Sequence, residues 1–138
     1  MNDIKEQFVT YEIALKLKEL GFDEGCFAYY YVSRVISLNR YFDSDLDWNN
    51  IDLQIVKNSK FIAPEFYAAA PLWQQAQSFL DDNGVIIGII FVDNVFKYTL
   101  NIENYVSNGF RDRMSAIKSA TEHATSYLWD KNILISND

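Results

Sequence analysis

Ala70-Pro71-Leu72-Trp73-Gln74-Gln75-Ala76 decides how this chain is read. A proline loses no hydrogen bond in the first turn of a helix, and its φ is already helical, so Pro71 marks a helix start. Leu72, Ala76, Phe79 and Leu80 then share one face at helical spacing. Gly84 is the stop, and the carboxylates of Asp81-Asp82 just before it oppose the helix dipole and predict fraying there. The strongest strand signal follows: Val85–Val92 is nearly all apolar and is expected at the centre of a sheet. Asp93-Asn94 can form a two-residue turn. Beyond it, Phe96, Tyr98, Leu100 and Ile102 alternate with Lys97, Thr99 and Asn101, the pattern of a half-buried antiparallel partner over Val95–Ile102. A long helix over Phe110–Lys131 closes the pattern, with Phe110, Met114, Ile117, Ala120, Ala124 and Leu128 as its buried stripe. The tail Ile133–Asp138 is expected to be loose.

Upstream, Thr10–Leu20 reads as a helix that can begin as early as Asp3. Thr10 can cap it, because its hydroxyl can accept from a free amide of the first turn. Ile13, Ala14, Leu17 and Leu20 form the apolar stripe, Gly21 is the left-handed stop, and Phe22 can pack back on the last turn. Cys26–Val32 is an aromatic strand that can run on to Ile36. Asn39–Asp52 is polar and reads as a loop, and Leu53-Gln54-Ile55-Val56 reads as a second strand. Phe61-Ile62-Ala63 can extend the sheet, limited to an edge by Pro64. The order is α-β-(β)-α-β-β-α: an α+β fold, with a small antiparallel sheet and about three helices packed on it.

The length of 138 residues suits one domain, 1–138, large enough to bury a core without staples. Cys26 is the only cysteine, so no intramolecular disulfide can form. The polar start Met1-Asn2-Asp3-Ile4-Lys5-Glu6 lacks the pattern of a signal peptide, and no apolar run reaches the ~20 residues of a membrane helix. These features set the expectation of a cytoplasmic protein. The net charge is −7 and the basic residues are scattered, which argues against direct nucleic-acid contact. Ten Phe, nine Tyr and three Trp read first as a core built from aromatics, each burying a large area, and second as a set of which some are exposed at a partner surface.

Two runs carry a family resemblance: Phe8-Val9-Thr10-Tyr11-Glu12-Ile13-Ala14-Leu15-Lys16-Leu17-Lys18-Glu19-Leu20-Gly21-Phe22, with the aromatic strand after it, and Ala70–Ala76. Together they resemble a family of small uncharacterised proteins from Bacteroides-type gut bacteria, their phages and mobile elements. With the elements that follow each run, the likeness covers about half the chain. Gly25 stands where the pattern has a proline, and the stretch Ser33–Ala69 is longer than usual. The resemblance implies a shared fold and a phage or mobile-element setting, and no activity or catalytic residue.

Candidate chemistry is thin. Asp43-Ser44-Asp45-Leu46-Asp47 alternates carboxylates as a calcium loop does, but Trp48 stands where the turn glycine belongs and Gln54 replaces the bidentate glutamate. Asp43, Asp45 and Asp47 are therefore a weak calcium candidate beside the reading of a solvated acidic loop. His123, the only histidine, reads as a helix-surface residue without a nucleophile partner. Cys26 reads as a buried small apolar residue. Trp73 reads as a core-edge cover, with Gln74 and Gln75 solvated; the sharper alternative makes the three a binding platform. No cofactor is implied.

The function expected from these residues is protein–protein contact by a non-enzymatic phage or mobile-element accessory protein, with self-association as a related form. Tyr41, Phe42 and Trp48 are its expected contact residues, because core packing explains aromatics in a polar loop least well. The alternatives are a small-molecule binder or cryptic enzyme with its site between sheet and helices, and a virion structural component.

Overall fold

The computed structural model describes residues 4–31, 36–38, 56–61 and 64–136. In chain order the elements are α1 (Tyr11–Glu19), β1 (Ala28–Tyr31), β2 (Ile36–Leu38), β3 (Tyr67–Ala70), α2 (Trp73–Asp82), β4 (Ile87–Val92), β5 (Val95–Leu100), β6 (Tyr105–Val106) and α3 (Arg113–Ser136), with short 3-10 turns at Ile4–Gln7, Asn58–Lys60 and Pro64–Phe66. The fold is α+β, with three helices and antiparallel strands in the expected order. The strands form two three-stranded sheets, β2-β1-β3 and β4-β5-β6. The chain divides into two compact units, Met1–Leu72 and Trp73–Asp138.

In the first unit, the Thr10 hydroxyl accepts from the Ile13 amide at 3.4 Å and starts α1. The residues before it form a separate 3-10 turn. Gly21, at φ +95°, ends the helix. The Phe22 amide donates to the Leu17 carbonyl at 2.9 Å and the Gly21 amide to Lys18 at 3.1 Å, a paired closure that satisfies two carbonyls the helix leaves open. Phe22 is buried, as are Ile13, Ala14 and Leu17.

β1 pairs antiparallel with β3 in the register Tyr29↔Ala69 and with β2 in the register Tyr29↔Ser37. β3 is an alanine run that propensity does not favour as a strand. It is held from outside the sheet by Asn58, which accepts from the Ala69 amide and donates to the Phe22 carbonyl, both at 2.8 Å. The buried Asn58 thus ties the end of α1 to the sheet. Of the strand expected at Leu53–Val56, only Val56 is described; it bridges Cys26 with two backbone bonds of 2.8 Å. Phe61 is outside any strand, and Ile62 and Ala63 lie outside the described residues.

Pro71 is not the start of α2. The Val9 amide donates to its carbonyl at 3.0 Å, and Phe8 bridges Leu72. That pairing keeps the backbone extended, and the helix begins at Trp73.

In the second unit, α2 ends as α1 does. Gly84 has φ +87°, the Val85 amide donates to the Leu80 carbonyl at 2.9 Å and the Gly84 amide to Asp81 at 3.0 Å. Val85 and Leu80 join Tyr98, Leu100, Ala120 and Ala124 in one core cluster, with Ile87, Ile89 and Leu128 packed against it. α3 runs from Arg113 through Ser136, longer and later than expected. Asp112 caps it, accepting from the Ser115 amide at 2.8 Å and the Ser115 hydroxyl at 3.0 Å. The buried stripe is accordingly rotated to Ala116, Ala120, Thr121, Ala124 and Thr125, while Met114 is exposed. The two threonine hydroxyls donate one turn back, to the Ile117 and Thr121 carbonyls, so the stripe buries no unpaired hydroxyl.

β4, expected at the sheet centre, is an edge strand among the described residues, and β5 is central. An apolar run reports how much oil a strand carries, not how many neighbours it has.

Candidate functional site

The residues singled out by sequence fall in different places. Tyr41, Phe42 and Trp48, and the carboxylates Asp43, Asp45 and Asp47, lie outside the described residues. Trp73 is buried, with the Lys118 ammonium 5.6 Å from its ring centre, while Gln74 is exposed. Cys26 is fully buried; burial, and then the Glu24 carboxylate, pushes its thiol up to about 12, so it is unavailable as a nucleophile at neutral pH. Among the described residues, no three His, Cys, Asp or Glu side chains are grouped to hold a metal. No described helix is long and apolar enough to cross a membrane.

His123 has company that the sequence did not disclose. Its Nδ1 lies 2.9 Å from the Tyr98 hydroxyl, and the Tyr105 ring meets it edge-on at 4.5 Å. Burial above all, then the neighbouring Tyr105 and the Glu122 carboxylate, pushes the Tyr98 hydroxyl up to about 12. A phenol held that strongly protonated is a poor base or nucleophile at neutral pH, and the trio joins β5, β6 and α3 by these contacts.

The first unit carries an aromatic cluster on one face of its sheet. Tyr29, Tyr31 and Tyr67 share that face, with Phe61 and Phe66 beside them, and ring centres are 5.1–6.4 Å apart. Tyr31 and Phe66 are exposed. Phe8, Phe22 and Tyr30 of the same unit are buried. The clustered rings already spend their faces and edges on one another.

The open edge of β4 offers more. Asp93 and Asn94 have φ of +53° and +65° and join β4 to β5 as a two-residue turn of the mirror-image type. In such a hairpin the residues flanking the turn, Val92 and Val95, exchange both backbone bonds, and every second pair follows suit. Gly88, Ile90 and Val92 therefore bond to β5. The backbone groups of Ile87, Ile89 and Phe91 point away from it. The other side of β5 confirms the phase. Phe96 exchanges backbone bonds with Phe110 at 2.9 and 2.7 Å, and Tyr98 is bonded by the Ser107 amide and hydroxyl at 2.9 Å each. Among the described residues no strand takes up the outward groups of β4.

The side chains along this edge are apolar and solvent-facing: Phe91 is 62% exposed, Val92 42%, Ile90 41% and the preceding Ile86 54%. Natural sheets usually protect such an edge with charge, proline or a bulge. β4 has none of these along Ile87–Val92. Charge is confined to its ends, with Asp81 and Asp82 closing α2 before it and Asp93 in the turn after it. Beside the start of β4, the polar residues Gln74, Gln77, Ser78 and Asp81 of α2 and the residues Ile86 and Ile87 line a groove of about 370 Å³.

The alternation Phe91/Phe96, Ile89/Tyr98 and Ile87/Leu100 could have given the backbone phase from sequence, once the Asp93-Asn94 turn was taken as fixing it. That β4 has no second neighbour among the described residues had no such signal. Comparison with family models, with curated proteins and with solved structures finds no match to this chain.

Proposed function

We propose that the protein acts by protein–protein contact, without catalysis, and that β4 is the contact element. The observation that carries this reading is a six-residue strand edge with outward backbone groups on Ile87, Ile89 and Phe91 and no charge of its own. Three donors and three acceptors aligned at strand spacing are a template for strand addition. Each bond so formed is worth about 0.5–1.5 kcal/mol net, and the apolar side chains beside them add their burial. The resemblance of Phe8–Phe22 and Ala70–Ala76 supports the setting proposed for it, that of a phage or mobile-element accessory protein working in a bacterial cytoplasm.

A photo-crosslinking residue at Val92, expressed in a Bacteroides-type host, tests the contact. Adducts at Val92 that are absent from the same probe at exposed Asp130 of α3 are the expected result. Equal labelling at both positions, or none at Val92, would remove β4 as the contact element.

A further inference from the structure

The edge and the groove beside it also constrain what binds. Resting on the reading of β4 as a contact strand, we infer that the occupant is an extended segment of another protein, apolar along its middle and basic at its ends, rather than a second copy of this chain.

Self-pairing is the first alternative, because identical edges are always available to each other. Antiparallel pairing of two β4 strands must bring outward residues together, and in the register that pairs all three, Ile89 falls opposite Ile89 and Ile87 opposite Phe91 of the second copy. Asp93 of each copy then falls opposite Val85 of the other, next to the Ile86 that shares the groove with Asp81. Both ends of the pair bring carboxylate toward carboxylate. Parallel pairing of the same edge must be shifted by an odd number of residues, because each outward residue sits beside one whose groups face away; the smallest shift sets Asp93 beside Val92 or Asn94 of the other copy, with the acidic ends of the two strands still together. Either way the copies repel at both ends, on a chain already at −7, and like charges opposed across strands are destabilising.

A hetero-partner with Lys or Arg at those two places reverses both contacts. Its middle would meet the uncharged run Ile87–Val92, and the exposed Ile90, Phe91 and Val92 favour apolar side chains there. Where it passes the groove, the Gln74 and Gln77 amides and the Ser78 hydroxyl can bond a polar side chain, and Asp81 a basic one. The nearest cation in the sheet, Lys97, pairs with Ile90 from β5. It is two strand spacings, about 10 Å, from an added strand, a full Debye length at 0.1 M salt.

The test uses the whole chain and two blocked nine-residue peptides of alternating valine and threonine, one ending in lysine at both ends and the other in glutamate. Binding is followed by residue-resolved amide exchange and by titration, with light scattering for self-association. The lysine peptide is expected to protect the Ile87, Ile89 and Phe91 amides and to bind at least about tenfold more tightly at low salt. The preference should shrink as salt rises, and Asp81→Lys should shrink it as well. Equal binding, or preference for the glutamate peptide, overturns the charge rule while leaving β4 as the contact strand. Concentration-dependent dimerisation that protects the same three amides, with neither peptide bound, makes a second copy the occupant and overturns the inference. Neither peptide bound and no protection at any concentration overturns the inference and the contact reading together.

Discussion

Proline at Phe91 and proline at Ile90 should have unequal consequences, although the two residues are neighbours on the same strand. The Phe91 amide points away from β5, so Phe91→Pro removes no bond of the hairpin. Its side chain is 62% exposed, so only a little over a third of its surface is lost from contact. At ~1.5–3 kcal/mol for full burial of a large apolar side chain, that is about 1 kcal/mol. The Phe96 ring, 4.8 Å away between centres, adds up to about 1 kcal/mol. The total for Phe91→Pro is thus about 1–2 kcal/mol. Ile90→Pro gives up a comparable amount of burial and also removes an amide that bonds to β5 opposite Lys97. That leaves a carbonyl unpaired inside the hairpin and sets the proline ring against the neighbouring strand, for a total on the order of 3–4 kcal/mol. Urea unfolding of the two variants, followed by circular dichroism, resolves a difference of this size. Equal losses, or a larger loss from Phe91→Pro, would refute the assignment of inward and outward amides. The open edge would fall with it.

Three further outcomes follow from the described contacts. Asn58→Ala should destabilise the first unit by about 2–5 kcal/mol in chemical denaturation, because it strands the buried Phe22 carbonyl and Ala69 amide at once. Gly84→Ala should cost about 1–2 kcal/mol by thermal melting: no atom lies within 4 Å of an added Cβ, so the cost comes only from holding alanine at positive φ. Asp112 is held below its ordinary 3.8 by bonds from the Ser115 amide and hydroxyl. Its folded pKa is depressed, so its contribution is present above the unfolded value and is lost as pH falls through the folded one. Asp112→Asn should therefore flatten the fall in stability below about pH 4, measured as melting temperature against pH.

The sequence discloses most where local chemistry dictates the backbone. Thr10, Gly21, Gly84 and Asp93-Asn94 stand at the cap, stops and turn that their side chains or φ preferences require. It discloses least where a distant partner decides. The alanine-rich β3 is a strand because β1 and Asn58 take up its backbone groups. Pro71, read as a helix start, is held extended by Val9, more than sixty residues earlier. Asp112-x-x-Ser115 was a readable cap; the apolar Phe110 just upstream draws the helix boundary too early instead. The candidate site was half legible. The strand Val85–Val92 and its turn stand out in sequence, but an apolar run does not reveal whether both of its edges are taken. Tyr41, Phe42 and Trp48, which the sequence offers as contact residues because they are aromatics in a polar stretch, lie outside the described residues.

Amide hydrogen exchange along β4 in the isolated chain tests the central claim most directly. The account predicts alternation: slow exchange at Gly88, Ile90 and Val92, which bond to β5, and fast exchange at Ile87, Ile89 and Phe91, which face outward. Uniform protection across Ile87–Val92 at a dilution where the chain is monomeric would contradict it, because the edge would then already be filled.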